Sequence, residues 1–462
     1  MEKTKDNQLD EKAKIDDKRE KMINEPVEKL VCKMAIPTII SMLVSALYNF
    51  ADTFFVGKIG SNTATGAVGI VFSYMAIIQA VGCFFGHGSG NFISREIGKK
   101  NYNAASKMAA TGFFSSLFTG ALIGALGLIF KSQLSLLLGS TATMLNDTKA
   151  YITFILIATP FMTCSYTLNN QLRLQGNSVF AMIGLASGAV INTIFDPIFI
   201  YVLKMGVSGA ALSTCVSQII SFIILLIGCQ KSSNVTIRWK EFSPSKKAYK
   251  EIFVGGFPSL SRQGLASISM LLLNRFAGGY GDAAIAAFTV VTKIMNISTC
   301  AILGFGQGFQ PVCGFNYGAG RIDRVKKAFW FSVKISTIAL TIIAIPLWIF
   351  SPQLVQIFRD DSEVIKLGTQ ILRYQLISMP FLGWVIVSNM FLQNIRKVVP
   401  ACIVAMARQG IVFLPLLFIM MHLFKLTGIE LTQPISDIVT FIISLPFTLS
   451  ALKEINKPKQ KQ

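Results

Sequence analysis

A short apolar run beginning at Ile191, INTIFDPIFIYVL, contains residues whose chemistry does not suit lipid. Asn192 and Asp196 are four residues apart, so on a helix they lie on one face, about one turn from each other. Pro197 has no N–H, so the carbonyl of Thr193 loses its usual helical partner. The pattern therefore gathers a carboxylate, an amide oxygen and a free carbonyl, which suit a small cation or a proton.

The alternative is that Asp196 and Pro197 mark a turn at a membrane surface. Apolar sequence continues on both sides of this pair, which favours a position within a helix. A carboxylate at the centre of a membrane helix costs about 2.5–3.5 kcal/mol on insertion scales, so such residues usually have a partner and a function. We therefore interpret Asp196 as part of a cation or proton site.

The first apolar segment contains a second carboxylate, Asp52. Polar residues at three- and four-residue steps form one stripe on this otherwise apolar helix: Ser41, Ser45, Tyr48, Asn49 and Asp52. The alternative for Asp52 is a position at the outer membrane interface, near Lys58. The sixth segment offers hydroxyl residues, among them Ser213 and Thr214, but small hydroxyl residues also pack helices in membranes. The pattern alone leaves the function of Thr214 open.

The sequence around these residues is that of a membrane protein. Of 462 residues, 52% are hydrophobic and 14% are charged, whereas soluble domains contain about 25% charged residues. About twelve apolar segments have at least the roughly 20 residues that cross a bilayer: 34–56, 66–94, 108–130, 149–172, 179–203, 209–229, 252–276, 284–312, 328–350, 364–392, 399–424 and 433–452. Only helices or closed barrels satisfy the backbone in lipid, and these segments are too long for barrel strands. We predict an all-α membrane protein with twelve transmembrane helices.

The net charge of +20 is concentrated in alternate loops. Basic residues cluster at four of these: Arg95 to Lys107, Lys231 to Lys250, Arg321 to Lys327, and Arg396 with Lys397. This alternation follows the positive-inside rule and predicts that both termini are cytoplasmic. The charge is therefore a topology signal, and we expect no binding to nucleic acid. We also expect the charged residues 1–33 to form a flexible, solvated tail followed by a short entry to the first helix, and 453–462 to form a similar tail.

The sequence gives no indication of a cofactor. The eight cysteines are scattered singly, and His87 and His422 have no Cys, Asp or Glu at metal-ligand spacing. No Walker-type glycine loop suggests ATP, and no nucleophile and base pair or metal cluster suggests a membrane-embedded enzyme. We predict neither an enzyme nor a cofactor-dependent protein.

The chain contains an internal repeat with an offset of about 220 residues. This shift places Gly86 on Gly306 and Asn169 on Asn389. We predict two six-helix lobes, 34–230 and 251–452, joined by a cytoplasmic loop at 231–250. Because six is even, the lobes enter the membrane from the same side and are related by an axis along the membrane normal. Transporters commonly place a substrate site between such repeats.

Twelve spans, two similar halves, Asp52 in the first span and NTIFDP in the fifth resemble the MATE family, the multidrug and toxic compound extrusion transporters. The segment FPSLSRQGLASISMLLLN is similar to the MepA-like bacterial branch of that family. The resemblance covers about 30–452. It implies secondary antiport in a bacterial cytoplasmic membrane, with amphipathic and mainly cationic drugs leaving as Na⁺ or H⁺ enters, by a monomeric carrier in contact with membrane lipid.

The resemblance also implies a coupling site for Na⁺ or H⁺ at Asp52, Asn192, Asp196 and Thr214. Other branches use acidic residues in the seventh and tenth spans, and this sequence has none there. The zone of the second half that matches Asp196 reads RQGIVFLPLLF. We therefore expect carboxylates within spans, and hence ion coupling, only in the first half. The sequence does not distinguish Na⁺ from H⁺ and does not identify the drugs.

Two prolines are candidates for helix bends, Pro37 in the first span and Pro197 in the fifth. Pro37 has an alternative function, since proline is also favoured at the first turn of a helix. The rival function is a flippase of lipid or lipid-linked oligosaccharide, whose cavity would be expected to carry several cationic side chains for pyrophosphate. The candidates within spans are few: Arg262, Arg373 and Arg408.

Overall fold

The computed structural model describes residues 16–57, 62–232, 235 and 237–456, and all long elements in this part of the chain are helices. The first half contains α1 (16–24), α2 (Val27–Gly57), α3 (Asn62–Gly98), α4 (Tyr102–Ile129), α5 (Lys131–Leu137), α6 (Leu145–Leu174), α7 (Ser178–Pro197) and α8 (Gly206–Ser232). A π-helical segment, Ile198–Val202, follows α7 directly.

The second half repeats this order. It contains α9 (Lys246–Gly278), α10 (Asp282–Gly318), α11 (Ile322–Ile349), α12 (Ser351–Phe358), α13 (Ser362–Asn394), α14 (Val398–Met406) and α15 (Phe413–Glu454). A second π-helical segment, Ala407–Ile411, lies between α14 and α15. A single 3-10 turn, Trp239–Glu241, lies in the segment that joins the two halves.

Ten stretches of the described residues are long and apolar enough to cross a membrane. The longest of them, Val398–Glu454, contains two spans, because the chain reverses at Lys425, where φ is 53° and ψ is −128°. The twelfth span is α9, which has 33 residues but a lower hydropathy, since it includes Arg262 and Arg275. The predicted all-α membrane fold with twelve spans is therefore confirmed.

The reversal within α15 is shown by a long-range ion pair. Lys397, just before α14, donates from Nζ to Glu454 Oε1 at 2.6 Å, although 57 residues separate them. At 1.5 Å per residue a straight helix of that length would hold these ends about 85 Å apart. The two arms pack tightly at the turn, where a Cβ added to Gly428 would lie 1.9 Å from the Met420 carbonyl oxygen.

The amino-terminal segment differs from the prediction of a solvated tail. Residues 16–24 form α1, and Met22 and Ile23 are buried. Arg19 donates from Nε and Nη2 to the Gly98 carbonyl at 3.0 and 2.9 Å, which satisfies an acceptor at the carboxyl end of α3. The prediction was wrong for this segment because it rested on the many charged residues. It did not take account of the two apolar residues or of an arginine that caps α3. The first long helix also begins at Val27, seven residues before the predicted start at 34.

The described chain forms two compact units. Unit 1 comprises Met1–Pro26, Ile40–Leu260 and Gly314–Ala319, and unit 2 comprises Val27–Ile39, Ser261–Cys313 and Gly320–Gln462. The predicted lobes follow the order of the chain, whereas these units follow packing. Helices α2, α9 and α10 therefore each contribute residues to both units.

Both units have the same kind of central helix. The most buried span of unit 1 is α6, and that of unit 2 is α13. Each contains an asparagine that donates to a backbone carbonyl of the next helix: Asn169 Nδ2 to Ala181 at 2.8 Å, and Asn389 Nδ2 to Ala401 at 2.7 Å. Donor and acceptor positions both shift by 220 residues, so the repeat predicted from sequence preserves individual hydrogen bonds.

Pro37 lies well inside α2, ten residues after its first residue, Val27. This position excludes the alternative that Pro37 starts the helix. The Oγ1 of the residue that follows it, Thr38, lies within hydrogen-bond distance of the carbonyls of Met34, Ala35 and Gly304 and can donate to one of them at a time. The contact with Gly304, at 2.6 Å, connects α2 to α10 next to the proline.

Candidate functional site

Helices α7 and α8 pack closely enough to place their polar residues in contact. A Cβ added to Gly188 would lie 2.9 Å from Ser221 Cβ, so the glycine permits this approach. Ser221 donates from Oγ to the Gly184 carbonyl at 2.7 Å. Gly188 therefore has a packing function on the face that also presents Asn192 and Asp196.

Asn192 connects the carboxylate of Asp196 to the hydroxyl groups of α8. In the amide orientation that satisfies both of its atoms, Nδ2 donates to Asp196 Oδ2 at 3.1 Å. The amide oxygen accepts from Thr214 Oγ1 and Thr214 N at 3.2 Å and from Ser213 Oγ at 3.1 Å. Asp196 and Ser213 are 0% exposed, and Asn192 and Thr214 are 1% exposed. The structure thus brings together three of the four predicted site residues.

One part of this arrangement differs from the expectation. The sequence suggested that the amide oxygen of Asn192 would converge on the same ligand as the carboxylate, but it is the amide nitrogen that faces Asp196. Carboxylate oxygens accept hydrogen bonds from amide nitrogens, so this orientation stabilises the ionised form of Asp196. Ser213, which the sequence offered only as one of several hydroxyls, is a direct member of the cluster.

The backbone changes its geometry immediately after Asp196. Helix α7 ends at Pro197, and the π-helical segment Ile198–Val202 begins at the next residue. Single π-helical turns within α-helices are rare and occur frequently at functional sites. Within this segment, Tyr201 donates from Oη to the Phe55 carbonyl at 2.6 Å, which joins the end of α7 to α2.

The fourth predicted residue, Asp52, lies on α2, but its side chain falls outside the described residues. Its backbone is three residues from Phe55, the residue that the Tyr201 hydroxyl contacts. The participation of Asp52 in the site therefore stays a prediction. Ser41 and Ser45 of the predicted polar stripe are described, and Ser45 donates to the Ser41 carbonyl at 2.9 Å.

The expectation that carboxylates lie within spans only in the first half is wrong. Asp437 and Glu430, both on α15, are 2% exposed. Asp437 Oδ1 accepts from Arg408 Nε at 2.8 Å and from Gln433 Nε2 at 2.8 Å, and Oδ2 accepts from Ser378 Oγ at 3.3 Å. The spacing of seven residues between the two acids places them on one helix face. Asp437 lies within the last apolar segment, 433–452, and was the signal that the sequence offered.

Glu430 has different surroundings from Asp437. Its Oε2 accepts from Gln370 Nε2 at 3.1 Å, and this amide also donates to Tyr374 Oη at 3.2 Å. Glu430 is five residues after the reversal at Lys425, within about one turn of the start of the second arm of α15. The free N–H groups and positive dipole at a helix start favour a negative charge.

Two of the arginines within spans, Arg408 and Arg373, have separate partners in unit 2. Arg408 is neutralised by Asp437. Arg373 donates from Nε to Ser351 Oγ at 3.0 Å, and its guanidinium carbon lies 5.8 Å from the centre of the Trp348 ring. These contacts do not favour the pyrophosphate-binding cavity that a flippase of lipid-linked oligosaccharide would be expected to have.

The described residues contain no group of three or more His, Cys, Asp or Glu residues that could hold a metal ion. The Asp196 cluster offers instead a carboxylate, an amide and two hydroxyls. These groups can take up a proton, or can supply hard oxygen ligands to a small cation if the Asn192 amide turns its oxygen toward the carboxylate. Both coupling ions that the sequence left open are compatible with these residue types.

Comparisons with known proteins agree with the repeat and the fold. A family model described as MatE matches this chain twice, at residues 37–198 and at residues 258–419, which confirms the internal repeat. Multidrug export protein MepA of Staphylococcus haemolyticus is 28% identical over 421 residues, which cover 90% of this chain and 92% of that protein. MepA of Staphylococcus aureus is 28% identical over 407 residues, covering 87% and 89%.

Solved structures of similar fold cover almost the whole chain. A crystal structure of MATE in complex with MaL6 has a TM-score of 0.90 and 24% sequence identity, covering 95% of this chain and 99% of that one. An outward-facing structure described as a multidrug resistance MATE family transporter of the MOP superfamily has a TM-score of 0.88 and 25% identity, covering 95% and 98%.

Proposed function

The chain belongs to the MatE family, and on that premise we propose that it is a multidrug exporter driven by antiport of Na⁺ or H⁺. It is a multi-pass membrane protein and not an enzyme. The resemblance to the MepA-like branch that the sequence indicated is confirmed by two matches to one family model and by the MepA relatives. Its site of action is the bacterial cell membrane.

The observation that carries the coupling proposal is the charge environment of Asp196. This carboxylate is completely buried, and among the described residues its hydrogen-bond partner is the amide of Asn192 and not a cation. An ionised carboxylate in such surroundings is costly, so binding of a proton or a cation there is favourable. Asp196 can therefore alternate between two charge states, which is what coupling to an ion gradient requires.

The neighbours of Asp196 respond to its charge. While the carboxylate is ionised, Asn192 holds it through a donated hydrogen bond and is itself held by Thr214 and Ser213 on α8. Neutralisation weakens the hydrogen bond that this amide donates, because an uncharged carboxyl group is a weaker acceptor than a carboxylate, so the contact between α7 and α8 loses part of its stability. The π-helical segment after Pro197 gives the end of α7 a place to change its hydrogen-bond register.

We assign coupling to Asp52 together with Asn192, Asp196 and Thr214. The Tyr201 to Phe55 hydrogen bond supports the inclusion of Asp52, because it connects the helix of Asp52 to the segment that follows Asp196. Pro37 and Pro197 are the proposed bends. The transported drugs are amphipathic organic compounds, mainly cations, that bind as the protein alternates its access between the two sides of the membrane.

The deciding experiment is transport by the purified chain in proteoliposomes. A fluorescent organic cation such as ethidium serves as the drug, and Na⁺ and pH gradients are imposed separately and together. We expect uphill drug movement with one of these gradients and none without a gradient. Uphill movement that needs ATP, or that neither ion gradient supports while the folded protein still binds ethidium, would contradict the proposal.

The remaining proposals concern partners and orientation. We propose a monomer in contact with lipid, without a cofactor and without affinity for nucleic acid. Both termini are assigned to the cytoplasm, because the basic loops follow the positive-inside rule. Lys246→Cys and Asp360→Cys, each in a cysteine-free background, test this assignment, since both positions are exposed in the structure. An impermeant thiol reagent added to intact cells should label position 360 and not position 246, and the reverse result would overturn the orientation.

A further inference from the structure

Unit 2 contains a cavity of about 180 Å³ that lies apart from the Asp196 cluster. Helices α9, α10, α13 and α15 and the π-helical segment Ala407–Ile411 supply its walls. Much of the cavity lining is apolar and consists of the side chains of Met270, Leu273, Phe288, Met295 and Phe413. A dry apolar cavity of about 150 Å³ is enough to bind benzene, so this one can accept a small aromatic group.

One wall of this cavity is the ion pair between Arg408 and Asp437, and its two members are not equally accessible. The side chain of Asp437 is 3% exposed, whereas that of Arg408 is 23% exposed. Asp437 already accepts from three donors, Arg408, Gln433 and Ser378. Three of the roughly four acceptor positions of its carboxylate are therefore occupied, and the more exposed group that the cavity offers to a ligand is the guanidinium.

The guanidinium keeps donors for such a ligand. Arg408 uses Nε for Asp437, and no hydrogen bond from either of its Nη atoms to another described residue is present. Two Nη groups present a planar set of N–H donors that matches a carboxylate. Amide side chains of Asn296, Gln375 and Gln433 lie around the same cavity and can bond further polar atoms of a ligand.

The backbone around Arg408 is held in place by its neighbours. The widened π-helical turn alters the usual hydrogen bonds of its carbonyls, and two of these carbonyls accept from serines on other helices. Ser436 Oγ donates to the Arg408 carbonyl at 2.9 Å, and Ser269 Oγ donates to the Gln409 carbonyl. The position of the guanidinium is thus fixed before any ligand binds, which reduces the entropy that binding would cost.

We propose that this cavity is a binding site for small aromatic carboxylates, with Arg408 as the group that recognises the anion. Asp437 is a positioning residue: it holds the guanidinium by Nε and keeps the empty site electrically neutral. The site takes ligands of the opposite charge to the organic cations that the first-half carboxylates suit. Its occupancy requires no ion gradient, so binding at equilibrium tests it independently of transport.

The test compares two probes of the same shape on the purified full-length chain by isothermal titration calorimetry: naphthalene-2-carboxylate and naphthalene-2-carboxamide. A charge-assisted hydrogen bond in a partly buried site corresponds to a preference of about tenfold or more for the carboxylate. The double variant Arg408→Gln/Asp437→Asn removes both charges and leaves no unpaired ion. We expect the preference to fall to about one in this variant, with weak binding of both probes retained.

Two further variants keep the result interpretable. Arg373→Gln removes an arginine that contacts Ser351 and Trp348 outside the cavity, so it should leave the preference unchanged. Ala266→Leu fills the cavity without altering the ion pair, so it should weaken the binding of both probes. The proposal is overturned if wild type shows no preference for the carboxylate, if the double variant keeps that preference, or if Ala266→Leu binds as wild type does.

Discussion

Asp196 in unit 1 and Asp437 in unit 2 are both almost completely buried, but the charges around them differ. Asp196 contacts the amide of Asn192, which is linked to two hydroxyls of α8. Asp437 forms an ion pair with Arg408 at 2.8 Å and accepts two further hydrogen bonds. When ionised, Asp196 carries a negative charge that no cation among the described residues compensates. Asp437 and Arg408 together form a pair without net charge.

This difference determines which carboxylate can bind and release a coupling ion. Adding a proton or a cation to Asp196 removes an uncompensated charge from a low-dielectric site and is favourable. Adding one to Asp437 would leave the guanidinium of Arg408 without its counter-ion, which is unfavourable by the same physics. A buried carboxylate is therefore informative about coupling only when its cationic neighbours are known.

The two units also differ in what the repeat preserves. The asparagine of each central helix makes the same hydrogen bond, from Asn169 to Ala181 and from Asn389 to Ala401. The buried carboxylate of unit 1 does not follow the repeat: a shift of 220 places Asp196 on Leu416. The scaffold is thus duplicated, while the chemistry in each unit is separate.

The largest expected effect comes from Asp196→Asn. The two side chains have nearly the same volume, and an amide is less costly to bury than an ionised carboxylate, so the protein should fold at least as well. Uphill drug export driven by an ion gradient should be lost, because position 196 no longer has two charge states. The measurement is efflux from vesicles with and without the gradient, with protein amount and melting temperature matched.

Asp52→Asn should give the same loss if Asp52 shares the site. Binding of drug in the absence of a gradient should persist in both variants, which separates lost coupling from lost substrate recognition. An Asp196→Asn protein that pumps uphill at the wild-type rate would assign Asp196 a purely structural function at the end of α7.

The second-largest expected effect comes from Asp437→Asn, which should reduce stability, whereas Asp196→Asn should abolish coupling without reducing stability. Asp437→Asn leaves the buried end of Arg408 without its counter-ion, which should cost about 2–4 kcal/mol of unfolding free energy. The double variant Arg408→Gln/Asp437→Asn should recover much of this loss, because it contains no unpaired charge. Thermal unfolding of the three proteins in one detergent measures the difference.

Uphill export per folded molecule should survive in that double variant. Equal destabilisation by Asp196→Asn and Asp437→Asn would remove the distinction between an uncompensated and a compensated carboxylate. Loss of coupling in the folded double variant would place part of the ion site in unit 2.

A smaller effect is expected for Glu430→Gln. This variant tests most directly whether coupling is confined to unit 1. Glu430 is buried beside Gln370 without an ion pair among the described residues, as Asp196 is beside Asn192. Its charge has another explanation, however, because it lies near a helix start, where a negative charge gains about 0.3–1 kcal/mol. Glutamine keeps an acceptor for Gln370, so melting temperature should fall slightly and gradient-driven efflux should persist.

Apolar runs and the repeat could predict the fold because both are properties of continuous segments. The twelve spans follow from the length of the apolar runs, and the pairing of Asn192 with Asp196 follows from helical periodicity. The pair of Arg408 and Asp437 could not be predicted in this way, since the partners are 29 residues apart on different segments. Periodicity shows which residues share a helix face, but not which face of another helix they contact.

The docked helix α1 was missed for a different reason. Its sequence is dominated by charge, and only Met22 and Ile23 supply apolar contact. Arg19 reaches the Gly98 carbonyl, which is 79 residues away in sequence. A charged segment is solvated by default, and the unsatisfied carbonyls at the end of α3 that attract it are visible only in three dimensions.

The smallest effects should come from acids of the second half that lie at helix starts. Asp282 is the first residue of α10, and Asp323 and Glu363 lie in the first turns of α11 and α13. The structure agrees with the prediction that these positions are at helix ends. In general an ionised acid at a helix start interacts favourably with the helix dipole. Asp282→Asn, Asp323→Asn and Glu363→Gln should each leave gradient-driven efflux unchanged.

Each of these changes should lower the unfolding free energy by no more than about 0.3–1 kcal/mol. The loss should shrink as salt is raised, because the Debye length falls from about 10 Å at 0.1 M to about 3 Å at 1 M. Melting temperatures at these two salt concentrations test the dipole explanation, and efflux with and without a gradient tests the coupling assignment. If one of these variants abolished coupling while it remained folded, a helix start in unit 2 would take part in ion binding, and coupling would not be confined to the carboxylates of unit 1.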